Sequence, residues 1–526
     1  MGKQSKSIVA GMTVLGLAGI ICKLVGVLFS IPLTWIIGAD GLGVFQAVFP
    51  TYNLLLTISS AGLPVAVSRM VSHALAHDDP RSAKKIFRIA LCLLTALGCI
   101  CTLLMLCGSP LLADHVNQPE AQLGFQVIAP CVAVVCVLSA FRGFMQGQQN
   151  MVPTAISQLI EQVGKVFISL PLAYFGAQIS IAHGAAGALL GITIVEFVAL
   201  VYMIMLYLRR RYVFSQIPQL STEEESSGKG IARQLMLISI PITISACIVP
   251  LSQTIDSSML IERMLSTGMT IEQARPVYGL FSGLVIRLIN VPTALALAVS
   301  MSLVPAISAA RALDDYDTVA RQSDLGLRFA FLIGFPCSIG MSFLSREIVS
   351  FFYAETLSPE HLTIASELLS VSSLTVVLFT VVQATSSILQ GLNYQRIPMY
   401  TLIAGVVCKI ALNYILVGTP EIGIHGAPIA SLVCYTVSLV PNLYFVLKFG
   451  KVRMNWMGWI VRPGIATAAM GAVVLLMRHI LPQHRLITLV EVAVGVVVFV
   501  AAALEVKAVT PDDLRSLRRR KKGANA

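Results

Sequence analysis

Charge is scarce in this sequence. Asp, Glu, Lys and Arg make up 12% of its 526 residues, while 56% are hydrophobic; ordinary soluble domains carry about 25% charged residues. So few ionic groups cannot cover the water-facing surface of a soluble protein of this length, which excludes a soluble fold. Five stretches hold no Asp, Glu, Lys or Arg at all: residues 41–68, 89–113, 166–195, 368–395 and 422–447. Each exceeds the roughly 20 residues that cross a bilayer as a helix. Catalytic signatures are missing as well. No GxxxxGK[ST], HExxH or GxSxG occurs, and the eight His (73, 77, 115, 183, 361, 425, 479 and 484) lie scattered without metal-ligand spacing. The loops are too short for a catalytic domain, so the chain reads as no enzyme, with no metal and no cofactor. The 11 Cys all fall in apolar spans and read as small apolar side chains, not as disulfides or metal ligands.

What charge there is has a pattern. The net charge is +11, but the basic residues form short clusters between apolar spans, where they act as topology signals and leave no nucleic-acid reading. The opening MGKQSK and the run after it resemble a signal peptide, yet the run continues for about 30 residues with Lys23 inside it and no cleavage pattern, so it reads as a retained first helix. Charged and Pro/Gly-rich breaks delimit about fourteen spans, near 8–37, 43–68, 86–108, 121–145, 152–176, 184–208, 233–256, 277–304, 326–352, 362–389, 396–418, 424–448, 463–481 and 485–506. With both termini cytoplasmic, only four of the 37 Lys and Arg fall in outer segments, namely Arg263, Arg275, Arg478 and Arg485. That asymmetry is what the positive-inside effect demands. Trp35 falls at an outer helix end, and Trp456 and Trp459 are expected at the inner interface. The sequence therefore describes an all-α, multi-pass membrane protein with both termini cytoplasmic.

The only long polar stretch, residues 209–232, divides the chain into a six-helix lobe over 1–208 and a second over 233–450. Helices 13 and 14 occupy 451–506, and a basic cytoplasmic tail occupies 507–526. The halves repeat each other. MQGQQNMVPTAISQLIEQVGK (145–165) matches LQGLNYQRIPMYTLIAGVVCK (389–409), and GAAGA (184–188) matches GIHGA (423–427). LPVAVSRM (63–70) resembles VPAISAAR (304–311), each followed by an acidic pair, Asp78-Asp79 and Asp314-Asp315, then by RIA (88–90) against RFA (328–330). Four matches in order indicate an internal duplication. Six spans per repeat is an even number, so the repeats are parallel, a transporter design with substrate bound near mid-bilayer.

A charge at the bilayer centre costs several kcal/mol by insertion scales, so each one needs a reason. Lys23 lies about 15 residues and Arg287 about 17 residues from the inner ends of helices 1 and 8, which puts both at similar depth, one in each lobe. If both face the gap between lobes they form a cationic site for an anion, Arg287 being able to grip phosphate bidentately. The alternative is that each pairs inside its own lobe. Asn53 is a candidate substrate contact or a helix-to-helix hydrogen bond. Glu161 and Lys165 are spaced to neutralise each other; with Glu196 and Lys409 they also form a candidate charge relay. Asp256 is a candidate gate or an interfacial acid. Pro32, Pro50, Pro64, Pro292 and Pro305 are expected to break helices 1, 2 and 8 and to let a cavity wall bend.

The run CKLVGVLFSIPLTWIIGADGLGVFQAVFPTYNLL, followed by GLPVAVSRMVSHA, resembles the start of the stage V sporulation protein B and polysaccharide-biosynthesis flippase family. RLINVPTALALAVSMSLVPAIS resembles helix 8 of the related MurJ lipid II flippases. Both belong to the multidrug/oligosaccharidyl-lipid/polysaccharide exporter superfamily, and the resemblance covers essentially the whole chain. It implies two V-shaped six-helix lobes of the MATE kind that open alternately inward and outward. The cargo implied is an undecaprenyl-pyrophosphate-linked saccharide, lipid II or a related cell-wall precursor, with cell-wall synthesis machinery as partner. Carried over by position, the cavity cations are Lys23 and Arg287, while the family's second basic position in helix 1 falls near Phe29 and Ser30 and its helix 2 pair falls on Leu56 and Thr57. An inside-negative potential assists outward movement of an anionic head by about 2.3 kcal/mol per charge per 100 mV; coupling to that potential or to an ion gradient is the energy source expected. The rivals are a drug or cation antiporter, which would want cavity acids, a non-transporting scaffold of envelope or spore-wall assembly, and a polyprenyl-sugar transferase, which would need outward-facing catalytic acids.

Overall fold

The computed structural model describes residues 2–77, 79–214, 228–480 and 485–508. Asp78, much of the 209–232 stretch and nearly all of the 507–526 tail lie outside the described residues, as does the side chain of Lys23. Among the described residues all regular structure is helical, and twelve helices are long and apolar enough to cross a membrane. Leu111, Phe167 and Ile179 are 74%, 73% and 71% exposed, the outward apolar surface that lipid rather than water would wet. All eleven Cys are free thiols.

The expected first two spans form one helical run, Gly2–Ser60, folded at Gly38. There φ is 66° and ψ is −174°, a conformation essentially reserved for glycine. Of the five prolines expected to break helices, only Pro64 falls at a break, in the first turn of Gly62–Ala76 just after the interruption at Ala61. Pro32 and Pro50 lie inside Gly2–Ser60, and Pro292 and Pro305 inside Ile286–Ala312; membrane helices tolerate a proline where neighbouring groups answer the freed carbonyl. Further interruptions are π turns over Lys165–Ser169, Leu280–Val285 and Met457–Val461.

Contacts divide the chain into two compact units, Met1–Gly279 and Leu280–Ala526. That division does not follow the 209–232 stretch, because the helix Gly228–Ser266 packs against Gly2–Ser60 and Gly62–Ala76 inside the first unit. The duplication nevertheless shows in every matching joint. Gly62–Ala76 and Ile286–Ala312 both end in an Ala, 236 residues apart, and the helices that follow, Pro80–Cys107 and Tyr316–Phe343, keep that offset at both ends. At the turn, Asp79 N donates to Ala74 O and Asp315 N to Ala310 O, each at 3.0 Å. The second acid of each pair is therefore a helix cap: Asp79 accepts from the N–H groups of Arg81 and Ser82, Asp315 from that of Thr318. Gly147 seats on Val71 and the Ser68 carbonyl, Gly391 on Ile307 and the Val304 carbonyl. Gly187 likewise abuts Leu172, and Gly426 abuts Leu416.

These joints correct the register of two matches. Val304 takes the place of Ser68, not of Leu63, and Arg88 aligns with Asp324 rather than Arg328, because glycine packing and helix ends set the equivalence where similar letters do not. The inner-face Trp pair also differs from expectation. Trp456 is exposed, but Trp459 is buried and its indole N–H donates to Asp324 Oδ1 at 2.7 Å, since a buried indole needs a partner.

Helices Arg462–Ile480 and Arg485–Glu505 lie outside the duplication and are pinned to the second unit at both ends. Arg478 Nε binds Glu347 Oε1 at 2.9 Å and its Nη1 donates to the Phe343 carbonyl. At the other end Arg328 Nε and Nη2 donate to the carbonyls of Ala508 and Lys507, the kind of cation that helix C-terminal carbonyls favour.

Two expectations follow. Gly147→Val and Gly391→Val place a side chain where a Cβ already meets Val71 Cβ at 2.7 Å and Ile307 Cβ at 2.9 Å, so each should cost about 1–3 kcal/mol and lower the unfolding temperature of the detergent-solubilised chain; no shift in either would remove the joint from the account. For the caps, slight burial raises the Asp79 carboxyl, but hydrogen bonds from Ser82 and Arg81 outweigh it, and the Thr318 bonds lower Asp315; both end below the usual 3.8. A depressed carboxyl stabilises the fold above its unfolded value and loses that contribution as pH falls through the folded value. Asp79→Asn with Asp315→Asn should therefore flatten the acid limb of the stability curve below pH 4, measured by thermal unfolding.

Candidate functional site

In the second unit the chain enters its buried cation through Ile271–Gly279 and the π turn Leu280–Val285, after which Arg287 is the second residue of Ile286–Ala312. Such π turns recur at functional sites because the extra residue redirects the side chains that follow. Arg287 is half-buried and engaged, with Tyr353 as an electrostatic neighbour. Beside it, Ile286, Ile289, Asn290 and Thr293 form one stripe of the helix along a cavity of about 70 Å³, closed by Ser372, Thr375 and Tyr435 from other helices of the unit. Arg287 is offset from that stripe by one residue, about 100° around the helix. The cavity wall is thus mixed: Asn290, Thr293, Ser372, Thr375, Ser431 and Tyr435 offer groups able to receive a sugar or diphosphate oxygen, and Phe281, Ile286, Ile289, Phe379 and Pro428 make the rest apolar.

In the first unit the structure assembles a charged cluster that the sequence revealed only in part. Arg142, on the helix Ala121–Gly147, reaches across to Val152–Gly164, where its Nε donates to Ser157 Oγ at 2.9 Å and its Nη2 binds Glu161 Oε1. Ser157 and Glu161 are one turn apart, so one guanidinium bridges both. The expected neutralisation of Glu161 by Lys165 is not what forms. Among the described residues Glu161 is ion-paired to Arg142, and Lys165 opens the π turn instead. Glu196, on Ile181–Phe214, is buried within electrostatic reach of Glu161, Lys165 and Arg142, and its Oε2 has no hydrogen-bond partner among the described residues. Tyr52 closes this region through its hydroxyl, 3.2 Å from Cys131 Sγ. Sequence reasoning missed Arg142 because the residue sits near the inner end of its span, where a cation reads as a topology signal. Its spacing from the Gln146-Gly147 match was the available clue.

The remaining expected residues divide. Asn53 is half-buried and its side chain has no hydrogen bond among the described residues, so it does not serve as the helix-to-helix link. Asp256, on Gly228–Ser266, and Lys409, on Arg396–Val417, are half-buried and engaged. Lys409 belongs to the second unit, whereas the Arg142 cluster lies wholly within the first. The cluster is not a requirement of the fold, because Arg142, Glu161 and Glu196 correspond to Ser386, Gly405 and Tyr435 in the other repeat. Two outer charges that looked independent are joined: Arg275 Nη2 binds Glu120 Oε2 at 2.7 Å, and Arg275 is buried. No group of three or more His, Cys, Asp or Glu suited to a metal occurs among the described residues.

Comparison with known proteins places this geometry. The lipid II flippase MurJ of Bacillus subtilis is 26% identical over 465 residues, covering 85% of this chain and 83% of that protein. The stage V sporulation protein B of the same organism is 27% identical over 431 residues, covering 82% and 81%. Among solved structures, an inward closed conformation of lipid II flippase MurJ superimposes with a TM-score of 0.71 at 13% identity, over 93% of this chain and 97% of that one. These relatives are flippases and transporters, not enzymes. Residues 282–415 match the MatE family. Residues 8–311, more than half of the sequence, match the polysaccharide biosynthesis protein family, and it is to this family of multi-pass membrane proteins that the chain belongs.

Proposed function

We propose that the chain moves a polyprenyl-diphosphate-linked saccharide, lipid II or a related cell-wall precursor, from the inner to the outer leaflet by alternating access. The observation that carries this reading is Arg287, a cation deep in an apolar helix whose neighbouring residues Asn290 and Thr293 line a cavity. An intramembrane cation marks an anion's path, and the fork of a guanidinium suits a diphosphate. Lys23, at matching depth in helix 1, and Asn53, with its amide unengaged, are the further substrate contacts on this reading. Both termini are then cytoplasmic, and the cargo's tail stays in lipid. A cation antiporter is disfavoured because the mid-depth charges of helices 1 and 8, Lys23 and Arg287, are both basic, whereas a cation carrier would want acids there.

Energy would come from the membrane potential or an ion gradient, and the first unit offers the group to carry a proton. Glu196 has a free carboxyl oxygen and is faced by Glu161, Lys165, Arg142, Tyr52 and Cys131. Lys409 and Asp256 are secondary candidates for relay and gate.

The first test uses bacteria whose sole candidate lipid II flippase is this chain, with an impermeant lipid II-cleaving enzyme added outside. Arg287→Ala should reduce the cleaved fraction about ten-fold or more at equal expression, and Arg287→Lys should retain part of it; lipid II that stays inaccessible with wild type removes the cell-wall cargo. The second concerns the cluster. Arg142→Ala should destabilise the chain by about 3–5 kcal/mol because Glu161 is left buried and unanswered, while Arg142→Met with Glu161→Leu should recover most of it. Glu196→Gln should fold normally and lose the part of transport that depends on a pH gradient; wild-type gradient dependence would eliminate the relay.

A further inference from the structure

A second cavity, apart from Arg287 and the Arg142 cluster, lies at the end of the first unit where Gly62–Ala76 meets Ala121–Gly147. It measures about 380 Å³ and is lined by Val65, Ser68, Arg69, Ser72, Gln146 and Gln149, with Met151 at its edge. That is within the range of ligand pockets, roughly 300–1,000 Å³. The side chains of Ser68, Arg69, Ser72 and Gln149 make no hydrogen bond or ion pair among the described residues, and Gln146 makes only a long one, 3.5 Å to Thr154 Oγ1. No acid lines the cavity. The first turns of the next helix hold Arg81, Lys84, Lys85 and Arg88 against the capping Asp79, so the described charges at this end are net positive and favour an anion.

The duplication supplies an internal control. The same joint recurs in the second unit, glycine seated on the equivalent carbonyl and side chain, yet there Ser68 is replaced by Val304, Arg69 by Pro305 and Gln149 by Asn393. Ser308, the counterpart of Ser72, spends its hydroxyl on the Gly391 carbonyl at 3.1 Å. The joint therefore folds without a cation and without a free hydroxyl. Arg69 and Ser72 are not there to hold helices together.

We propose that this pocket binds the diphosphate group of the cargo at the cytoplasmic end of the first unit, as a loading site distinct from Arg287. Arg69 grips the diphosphate by its guanidinium fork, while Ser68, Ser72 and the Gln149 amide donate to the remaining oxygens. Val65, which is half exposed, and Met151 give the rim an apolar side against which the first isoprene units lie. This rests on the transport reading for its role, but the pocket's chemistry, a diphosphate of lipid or of soluble origin, can be tested without transport.

The test is calorimetric titration of the full chain in phosphatidylcholine nanodiscs with inorganic pyrophosphate and, separately, farnesyl diphosphate. Both are run on an Arg287→Ala background so that the other cation does not contribute. Arg69→Ala should weaken binding about ten-fold or more, and Arg69→Lys should fall between. Farnesyl diphosphate binding tighter than pyrophosphate identifies a lipid-linked ligand; equal affinities, still lost with Arg69, identify the free anion. No binding by the starting protein, or binding unchanged by Arg69→Ala at an unchanged unfolding temperature, overturns the pocket. In the cleavage assay on the otherwise wild-type chain, Arg69→Ala should raise the lipid II level needed for half-maximal export and spare the maximum. Lost binding with unaltered export overturns the loading role, whereas failure of Arg287→Ala to reduce export bears only on the transport reading.

Discussion

A guanidinium inside hydrocarbon has to be answered by the protein, because no water is there to do it. In the first unit Arg142 is held in this way by Ser157 and Glu161, and at an outer helix end the buried Arg275 is held by Glu120. Each of these partnerships joins different helices, so electrostatic necessity becomes a fastening. Removing one partner is costly out of proportion to what the pair contributes, since the survivor remains buried and ionised. A chain with so few charges places them where they also fix helix positions, and the exceptions, such as Glu196 with its unanswered oxygen, stand out for that reason.

Much of the architecture was legible because membrane helices obey a coarse rule, about 20 apolar residues between breaks. The charge-free runs located the helices, and four short matches revealed the duplication. Arg287 was legible as a charge in the wrong solvent. What the sequence concealed was geometry within helices. Nothing in the letters distinguishes Pro50, which a continuous helix absorbs, from Gly38, which folds the chain back. Nor does i, i+4 spacing say whether Glu161 turns to Lys165 on its own helix or to Arg142 on another, a choice decided by which cation the packing brings close. Trp459 could not be told from an interfacial Trp because its partner Asp324 is far away in sequence.

The duplication itself separates structure from chemistry. Where both repeats keep a feature, the fold explains it: the aspartate caps, the left-handed Gln149 and Asn393 (φ 59° and 68°), and the glycines seated against the neighbouring helix. Where one repeat keeps a feature alone, packing no longer suffices. Arg142, Glu161 and Glu196 face Ser386, Gly405 and Tyr435 in the copy, and a helix pair that closes on a bare glycine at one site does not need an ion pair at the other. The second unit holds its own joint neutrally, with Asn442 bonded to Thr401 and Ser386.

That contrast bears on what each repeat is for. A duplicated helix bundle begins with two equal cavities, and it can distinguish the ends of an amphipathic cargo only by making them unequal. Here the inequality is electrostatic, since the joints and helix ends are retained while the ionisable residues differ. The first unit keeps acids and bases in contact, a composition suited to exchanging a proton or adjusting charge. The second lines a small cavity with hydroxyls and an amide near the offset Arg287, groups suited to sugar and phosphate oxygens, and uses its Arg478–Glu347 pair to fasten the extra helices. The extra pair of helices belongs with the second unit alone, fastened by Arg478 at one end and Arg328 at the other. On the proposed reading, in which the cargo stays tethered to the bilayer by its tail, this pair gives that unit further apolar surface facing the lipid, where the tail lies.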